Sequence, residues 1–412
     1  MLRCLRLTTA GESHGPAVVA VLEGIPAGLP LDAAAVAGEL ARRQGGHGRG
    51  GRMRIEKDAG EIFAGVRLGE TLGSPIAIRI PNRDFRNWRE AMAIAAPDVE
   101  DVEVLRRVYL PRPGHADLAG MLKYDREDAR DILERASARE TAARVAAGAV
   151  AKRLLGEFGV RVESHVVRIG PVAAPAGEPL PDDLTAAADD SPVRCIDRGA
   201  AAAMVEAIDA ARRDGDSLGG VFEVVARGAP VGLGSHVTWE TRLGGRIGGA
   251  LMSIHAMKGV EIGMGFEAAR TRGSDVHDEI ERDAERRGSG GYRRRRNNAG
   301  GLEGGMTTGG TIVARVAMKP LSSLRRPLDS VDTRTGEPAK AIRERSDVCA
   351  VPAAGVVGEA MMALVLADAW IEKFAGDSLS DMRRNVESYL ARLGDSGLTD
   401  ADGGRDSGRG TG

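Results

Sequence analysis

Between Glu134 and Gly156 the chain reads ERASARETAARVAAGAVAKRLLG, and this stretch limits the possible folds more than any other. Ala142, Ala143, Ala146, Ala147, Ala149 and Ala151 surround Val145 and Val150, so a helix here is thin and apolar nearly all round. Such a helix has to be buried on most of its faces. A second alanine-rich helix is predicted over 356–374. Ser137, followed three residues later by Glu140, has the form of a capping box and predicts a helix N-terminus at Ser137 with its first N–H groups turned outward. Arg135 and Arg139 flank that positive end, a setting that suits a phosphate or carboxylate. A surface helix with a solvated arginine pair is the plainer alternative.

A chain of 412 residues with 42% hydrophobic content can build one large core or two ordinary domains. Lys and Arg number 57 against 59 Asp and Glu, a net charge of -2, so local clusters rather than a bulk field must carry any anion chemistry. Cys4, Cys195 and Cys349 stand apart without ligand-like spacing, which suggests neither a disulfide framework nor a metal site and fits a reducing cytosol. No uninterrupted apolar run reaches the roughly 18 residues of a membrane span, and Thr8, Thr9 and Glu12 break anything like a signal-peptide core. A cytoplasmic protein without membrane or nucleic-acid partners is expected.

In chain order, strands are predicted over 5–9 and 17–25, joined by Gly11-Glu12-Ser13-His14-Gly15. Glycines on both sides of a turn can present an imidazole suited to proton transfer, although a loop histidine is often merely solvated. Asp32 caps a predicted helix over 33–43, and 44–54 then interleaves glycine with arginine as QGGHGRGGRMR. Arg43, Arg49, Arg52 and Arg54 supply planar forks for oxyanions. A basic linker or a nucleic-acid contact competes with this reading, but such segments carry aromatics that stack on bases, and aromatics are only 3% here. A small polyanionic ligand fits better. Strands follow over 61–68 and 74–80, and 81–88 reads as a polar loop without chemistry.

Arg112-Pro113-Gly114-His115-Ala116-Asp117 mirrors the first histidine turn. A strand over 160–169, a surface excursion over 173–191, a helix over 198–213 and a strand over 220–227 suggest mixed α/β layering. His255 and Ala256 mark a ligand wall next to glycine. Arginines fill 293–296, but the acidic stretch 275–285 would cancel much of their field. Glycines flanking Leu302-Glu303, Gly304 among them, would let backbone lie against a planar cofactor. A strand over 311–318 leads into Lys319-Pro320-Leu321-Ser322-Ser323. Asp347 stands beside Arg345 and is expected to stay ionised, a surface ion pair being the plainer alternative. A helix over 379–393 precedes a Gly/Asp/Ser tail with too few apolar residues to order itself.

Taken together, GESHG at Gly11, RQGGHGRGGRM at Arg43, RPGHAD at Arg112, RASARETAARVAAGA at Arg135, GGLEGGMT at Gly300, KPLSSL at Lys319 and ERSDVCAVPAAGVV at Glu344 resemble the chorismate synthase family over nearly the whole chain. The resemblance implies an α+β fold, a β-α-β sandwich with long alanine-rich helices between antiparallel sheets, in which 1–394 form one domain and 395–412 a disordered tail. It implies conversion of 5-enolpyruvylshikimate 3-phosphate to chorismate and phosphate in the shikimate pathway, by a homotetramer that requires reduced FMN without net redox change.

By the same resemblance, His14 protonates the departing phosphate, His115 acts near the flavin, and Asp347 helps the flavin take up the substrate proton. Arg43, Arg49, Arg52, Arg112, Arg139 and Arg345 bind the substrate's phosphate and carboxylates. Arg135, Ala136, Ser137, His255, Ala256, Gly304, Lys319, Pro320, Leu321, Ser322, Ser323 and Arg345 bind FMN, and Arg43 and Arg49 match positions given to NADP. No G-x-G-x-x-G fingerprint follows a strand, so NADPH is expected to act only through a separate flavin reductase. The alternative from a different class is a nucleic-acid-binding protein using the Arg/Gly loops.

Overall fold

The computed structural model describes residues 2–50, 58–96, 101, 103–177, 179–283, 285–344 and 346–395. Its centre is a pair of packed helices, Glu140–Gly156 and Val351–Phe374, both buried along nearly their whole length. Alanine keeps them thin, and Gly148 lets them touch, because a Cβ there would lie 2.3 Å from the Ala360 Cβ. Gly358 plays the same part against the sheet below, where a Cβ would meet the Phe222 ring at 2.7 Å. The second helix begins at Val351, five residues before its predicted start, with Pro352 in its first turn, where a missing N–H costs nothing.

Two antiparallel sheets enclose this layer. Strands Arg6–Ala10, Ala17–Glu23, Ile76–Pro81 and Glu61–Ala64 pair in that order and cover helix Glu140–Gly156. Strands Met257–Ile262, Ile312–Met318, Gly220–Arg227, Arg161–Ile169 and Val172–Ala173 form the other sheet, against helix Val351–Phe374. The expected sandwich is therefore observed, with helix Ala33–Gln44 completing the inner layer. Asp32 caps that helix as expected, accepting from the Ala35 N–H at 2.8 Å. The predicted 61–68 strand is broken at Gly65, whose φ of 84° no regular strand allows.

Helix Val351–Phe374 is long and apolar enough to cross a membrane by length and composition, yet 89% of its apolar window is buried inside the fold. Two of its three acidic residues, Glu359 and Asp368, are fully buried and tie it into the fold. Glu359, with no exposed surface, accepts from Arg42 at 2.7 and 2.9 Å, Lys152 at 2.8 Å, Arg194 at 3.0 Å and the Ser164 hydroxyl at 2.6 Å. Asp368 takes the backbone N–H groups of Arg3, Cys4 and Leu5 at 2.6–2.9 Å together with Arg246. Charges this deep persist only when paired and hydrogen-bonded.

The capping box does not form. Helix Glu140–Gly156 starts three residues late, after tight turns in which Glu140, Thr141 and Ala142 N–H groups donate to the carbonyls of Ser137, Ala138 and Arg139 at 3.0–3.2 Å. Ser137 Oγ donates to Ser13 Oγ instead, and the Glu140 carboxylate accepts from Thr9 Oγ1 at 2.7 Å and Arg144 Nε at 2.8 Å. Tertiary partners outcompete the local cap. The arginine run is likewise committed. Tyr292–Arg294 pairs with Ile280–Arg282, and Arg293, Arg294 and Arg295 meet Glu281, Glu303 and Glu279 at 2.6–2.9 Å. Helix Leu379–Asp395 runs one residue into the expected tail, whose remainder, 396–412, lies outside the described residues.

Candidate active site

Loops from both sheets and all three inner helices converge on one cavity of about 870 Å³. That is near the upper end of the ~300–1,000 Å³ usual for small-molecule sites. His14, Arg43, Arg49, Arg112, His115, Ser137, Arg139, His255, Ala256, Leu321, Ser322, Ser323 and Asp347 all line it. Segments remote in sequence thus meet as the motifs suggested. Arg135, Ala136, Gly304, Lys319 and Pro320 are not on its wall. Arg135 donates to the Thr9 and Gly11 carbonyls at 2.9 and 3.1 Å, Lys319 Nζ donates to the Gly114 carbonyl, and Gly304 sits in the turn between Leu302–Glu303 and Met306–Thr308. Arg52, Arg54 and Arg345 lie outside the described residues.

Each of two cavity histidines leans on a carboxylate. His115 Nδ1 is 2.5 Å from Asp117 Oδ1, and Arg112 donates to the same carboxylate through Nε at 2.8 Å and its backbone N–H at 3.0 Å. Burial alone would raise the Asp117 carboxyl, but the hydrogen bonds from His115 and Arg112 hold it well below the usual carboxylate range. His14 Nδ1 meets Glu134 Oε1 at 2.8 Å, and the His14 backbone N–H donates to Oε2 at 2.8 Å. A third histidine differs. Burial pulls His255 below its ordinary value, the Glu140 carboxylate at 3.9 Å opposing, and its buried Nδ1 has no hydrogen-bond partner among the described residues.

The arginines form two tiers. Arg43 and Arg139 share one buried carboxylate, Asp58, at 3.3 and 3.0 Å, and Arg43 also donates to the Ala138 carbonyl at 2.8 Å. Arg49 pairs with Asp347 at 2.7 Å, and the Gly50 N–H donates to that aspartate's other oxygen at 2.6 Å. Asp347 is therefore tied to the glycine-arginine loop. Arg106 and Arg343, in contrast, have no carboxylate within ion-pair distance among the described residues, although both line the cavity. A small second core of Val108, Met121, Ala129 and Leu133, with Ile342 against it, anchors this rim.

Sequence reading missed several of these residues. The 81–88 segment, read as lacking chemistry, is the short 3₁₀ helix Arg83–Asn87 followed by Trp88, and Asp84, Asn87 and Trp88 line the cavity. Trp88 stacks on His14. Arg106, Arg107, Arg130 and Arg343 also went unnoticed, because each is an ordinary charged residue in its own stretch. A scarce tryptophan in a polar loop was the one available signal.

A layered α+β fold with a basic cavity and histidine–carboxylate pairs defines an enzyme that moves protons on a small polyanion. The family model described as Chorismate synthase matches residues 5–371. Proteins named chorismate synthase from Acidothermus cellulolyticus and Symbiobacterium thermophilum are each 57% identical, over 94% of this chain and 99% of their own. A solved structure titled "Crystal Structure of Chorismate Synthase" is 43% identical with a TM-score of 0.75, covering 95% of this chain and 99% of that one. The chain belongs to the chorismate synthase family.

Proposed function

We propose that the chain eliminates phosphate and a ring proton from 5-enolpyruvylshikimate 3-phosphate to give chorismate, with reduced FMN as cofactor. The observation that carries this is the convergence of His14, His115, Asp347 and the arginines on one cavity. A substrate with one phosphate and two carboxylates needs several fixed cations, and Arg49, Arg112 and Arg139 present guanidinium groups already oriented by Asp347, Asp117 and Asp58. In this reading His14 gives a proton to the departing phosphate, and Asp347 would assist removal of the ring proton beside the flavin. Arg112, donating to Ser323 Oγ at 2.8 Å, keeps the His115 loop against the 319–323 segment.

The residues fit a flavin. The orphaned Nδ1 of His255 requires a hydrogen-bonding group, the Ala256 backbone at φ 68° turns the chain sharply beside it, and the cavity is roomy enough for a planar ring together with the substrate. Ser137, His255, Ala256 and Leu321 to Ser323 would hold it. When bound, reduced flavin supplies electron density to an electron-poor ring, which no side chain here can do.

The reading extends to residues 1–394 as one domain, to a homotetramer and to a cytoplasmic location. Val237, Trp239 and Phe266 carry large exposed apolar side chains of the kind subunit contacts cover. Purified protein given the enolpyruvyl substrate should form chorismate with photoreduced FMN. NADPH with oxidised FMN should support turnover only after a flavin reductase is added, and sustained activity without one would refute that dependence.

A further inference from the structure

Trp88 and Glu134 confine His14 from two directions. The indole lies on the imidazole with ring centroids 3.6 Å apart and planes at 19°, and its Nε1 donates to Asp84 Oδ2 at 3.1 Å. The guanidinium carbons of Arg106 and Arg130 lie 3.9 and 5.2 Å from the indole centroid. In the plane of the imidazole, Glu134 takes both the ring Nδ1 and the backbone N–H of the same residue. The Glu134 side chain is only 2% exposed, and Arg130 Nη1 holds it at 3.1 Å while Arg130 Nη2 reaches Glu344 at 2.9 Å. An ionised carboxylate can only accept, so the ring nitrogen facing it carries hydrogen. Burial would raise Glu134, but the bonds from His14 and the charge of Arg130 hold it below its ordinary value.

We infer that Glu134 is the positioning residue of His14, fixing the imidazole in the Nδ1–H form so that Nε2 exchanges the proton with substrate, while Trp88 sets the plane of the ring. This rests on the reading of the cavity as the elimination site. As the C–O bond breaks, its electron pair leaves with the phosphate, the pair of the C–H bond that loses its proton supplies the new ring double bond, the Nε2 proton passes to a phosphate oxygen, and the imidazole is left neutral with its Nδ1–H still on Glu134. Glu134 stays ionised throughout. The charged groups around the stack are Glu134 and Arg130 on one side, Asp84 and Arg106 at the indole, and Glu344 behind Arg130. Glu134 hydrogen-bonds the imidazole through Nδ1.

Glu134→Gln keeps an acceptor for Nδ1–H and removes the charge that favours the protonated ring. Its kcat is expected to fall by about tenfold or more with KM nearly unchanged, a part of the ~10²–10⁴-fold that acid–base groups contribute. The alkaline limb of the kcat profile should move to lower pH, because the acid form of the ring is lost sooner, and Glu134→Asp should move it part of the way back. Trp88→Phe should retain most activity and Trp88→Ala should not. Ring-carbon NMR titration of labelled histidine, assigned with His14→Asn and run without substrate or flavin, should show the same downward displacement in Glu134→Gln. Unchanged profiles in both measurements, with only a lowered Tm, would overturn the inference. A displaced NMR titration in a protein that makes no chorismate would support the pair and refute the assigned reaction.

Discussion

At the seam between the central helices, Glu359 gathers Arg42, Lys152, Arg194 and Ser164 within 3.0 Å, and Glu39 and Asp189 pair with the same cations. At the cavity rim, Arg106 and Arg343 face solvent with no carboxylate partner among the described residues, and Asp58 has to serve two arginines at once. The same side chains thus do opposite things. Where charges balance, they fix how the helices and sheet dock. Where a cavity arginine has no carboxylate among the described residues, as at Arg106 and Arg343, it can take an anion from outside. Balance of charge, rather than its density, separates the structural from the functional region.

The largest effect should come from the seam. Glu359→Ala leaves buried cations without their carboxylate and should lower stability by about 3–5 kcal/mol, read by denaturant unfolding. Burial alone would raise the Glu359 carboxyl, but Lys152, Arg42 and Arg194 hold it well below its ordinary 4.5. Its contribution is therefore complete above pH 4.5 and lost as pH falls from there towards the folded value, so wild type and Glu359→Gln should converge in stability in acid. A gap that stayed constant with pH would break the comparison at this end.

At the cavity the loss should appear in rate instead. Asp347→Asn should keep its Tm and its affinity for substrate and flavin while kcat falls by about 10²–10⁴-fold. If kcat holds and Tm drops, Asp347 is only the ion-pair partner of Arg49. Arg49→Ala should raise KM by about ten- to a hundredfold, since a charge-assisted hydrogen bond contributes roughly 1.5–3 kcal/mol. A change confined to kcat would contradict its binding role. Deleting 396–412 should alter neither turnover nor Tm, and a large loss in either would show that this segment docks on the body.

The architecture was legible because its cause is local. Six alanines around Val145 and Val150 require burial on most sides, and Asp32 caps its helix through its own third neighbour. Motifs that carry chemistry on adjacent residues, such as His115 with Asp117, were legible too. What depends on distant partners was not. Ser137 and Glu140 have the sequence of a cap but are drawn away by Ser13, Thr9 and Arg144, and the partners of Glu359 come from positions 42, 152 and 194. Trp88 becomes part of the site only because strand Ile76–Pro81 brings it against the turn that carries His14.

The most direct test follows one turnover series under anaerobic conditions with photoreduced FMN, measuring chorismate, released phosphate and flavin oxidation together. The proton and phosphate leave without net electron transfer, so chorismate and phosphate should appear in equal amounts while the flavin remains reduced. Phosphate release without chorismate, or flavin oxidised in step with product, would contradict the account.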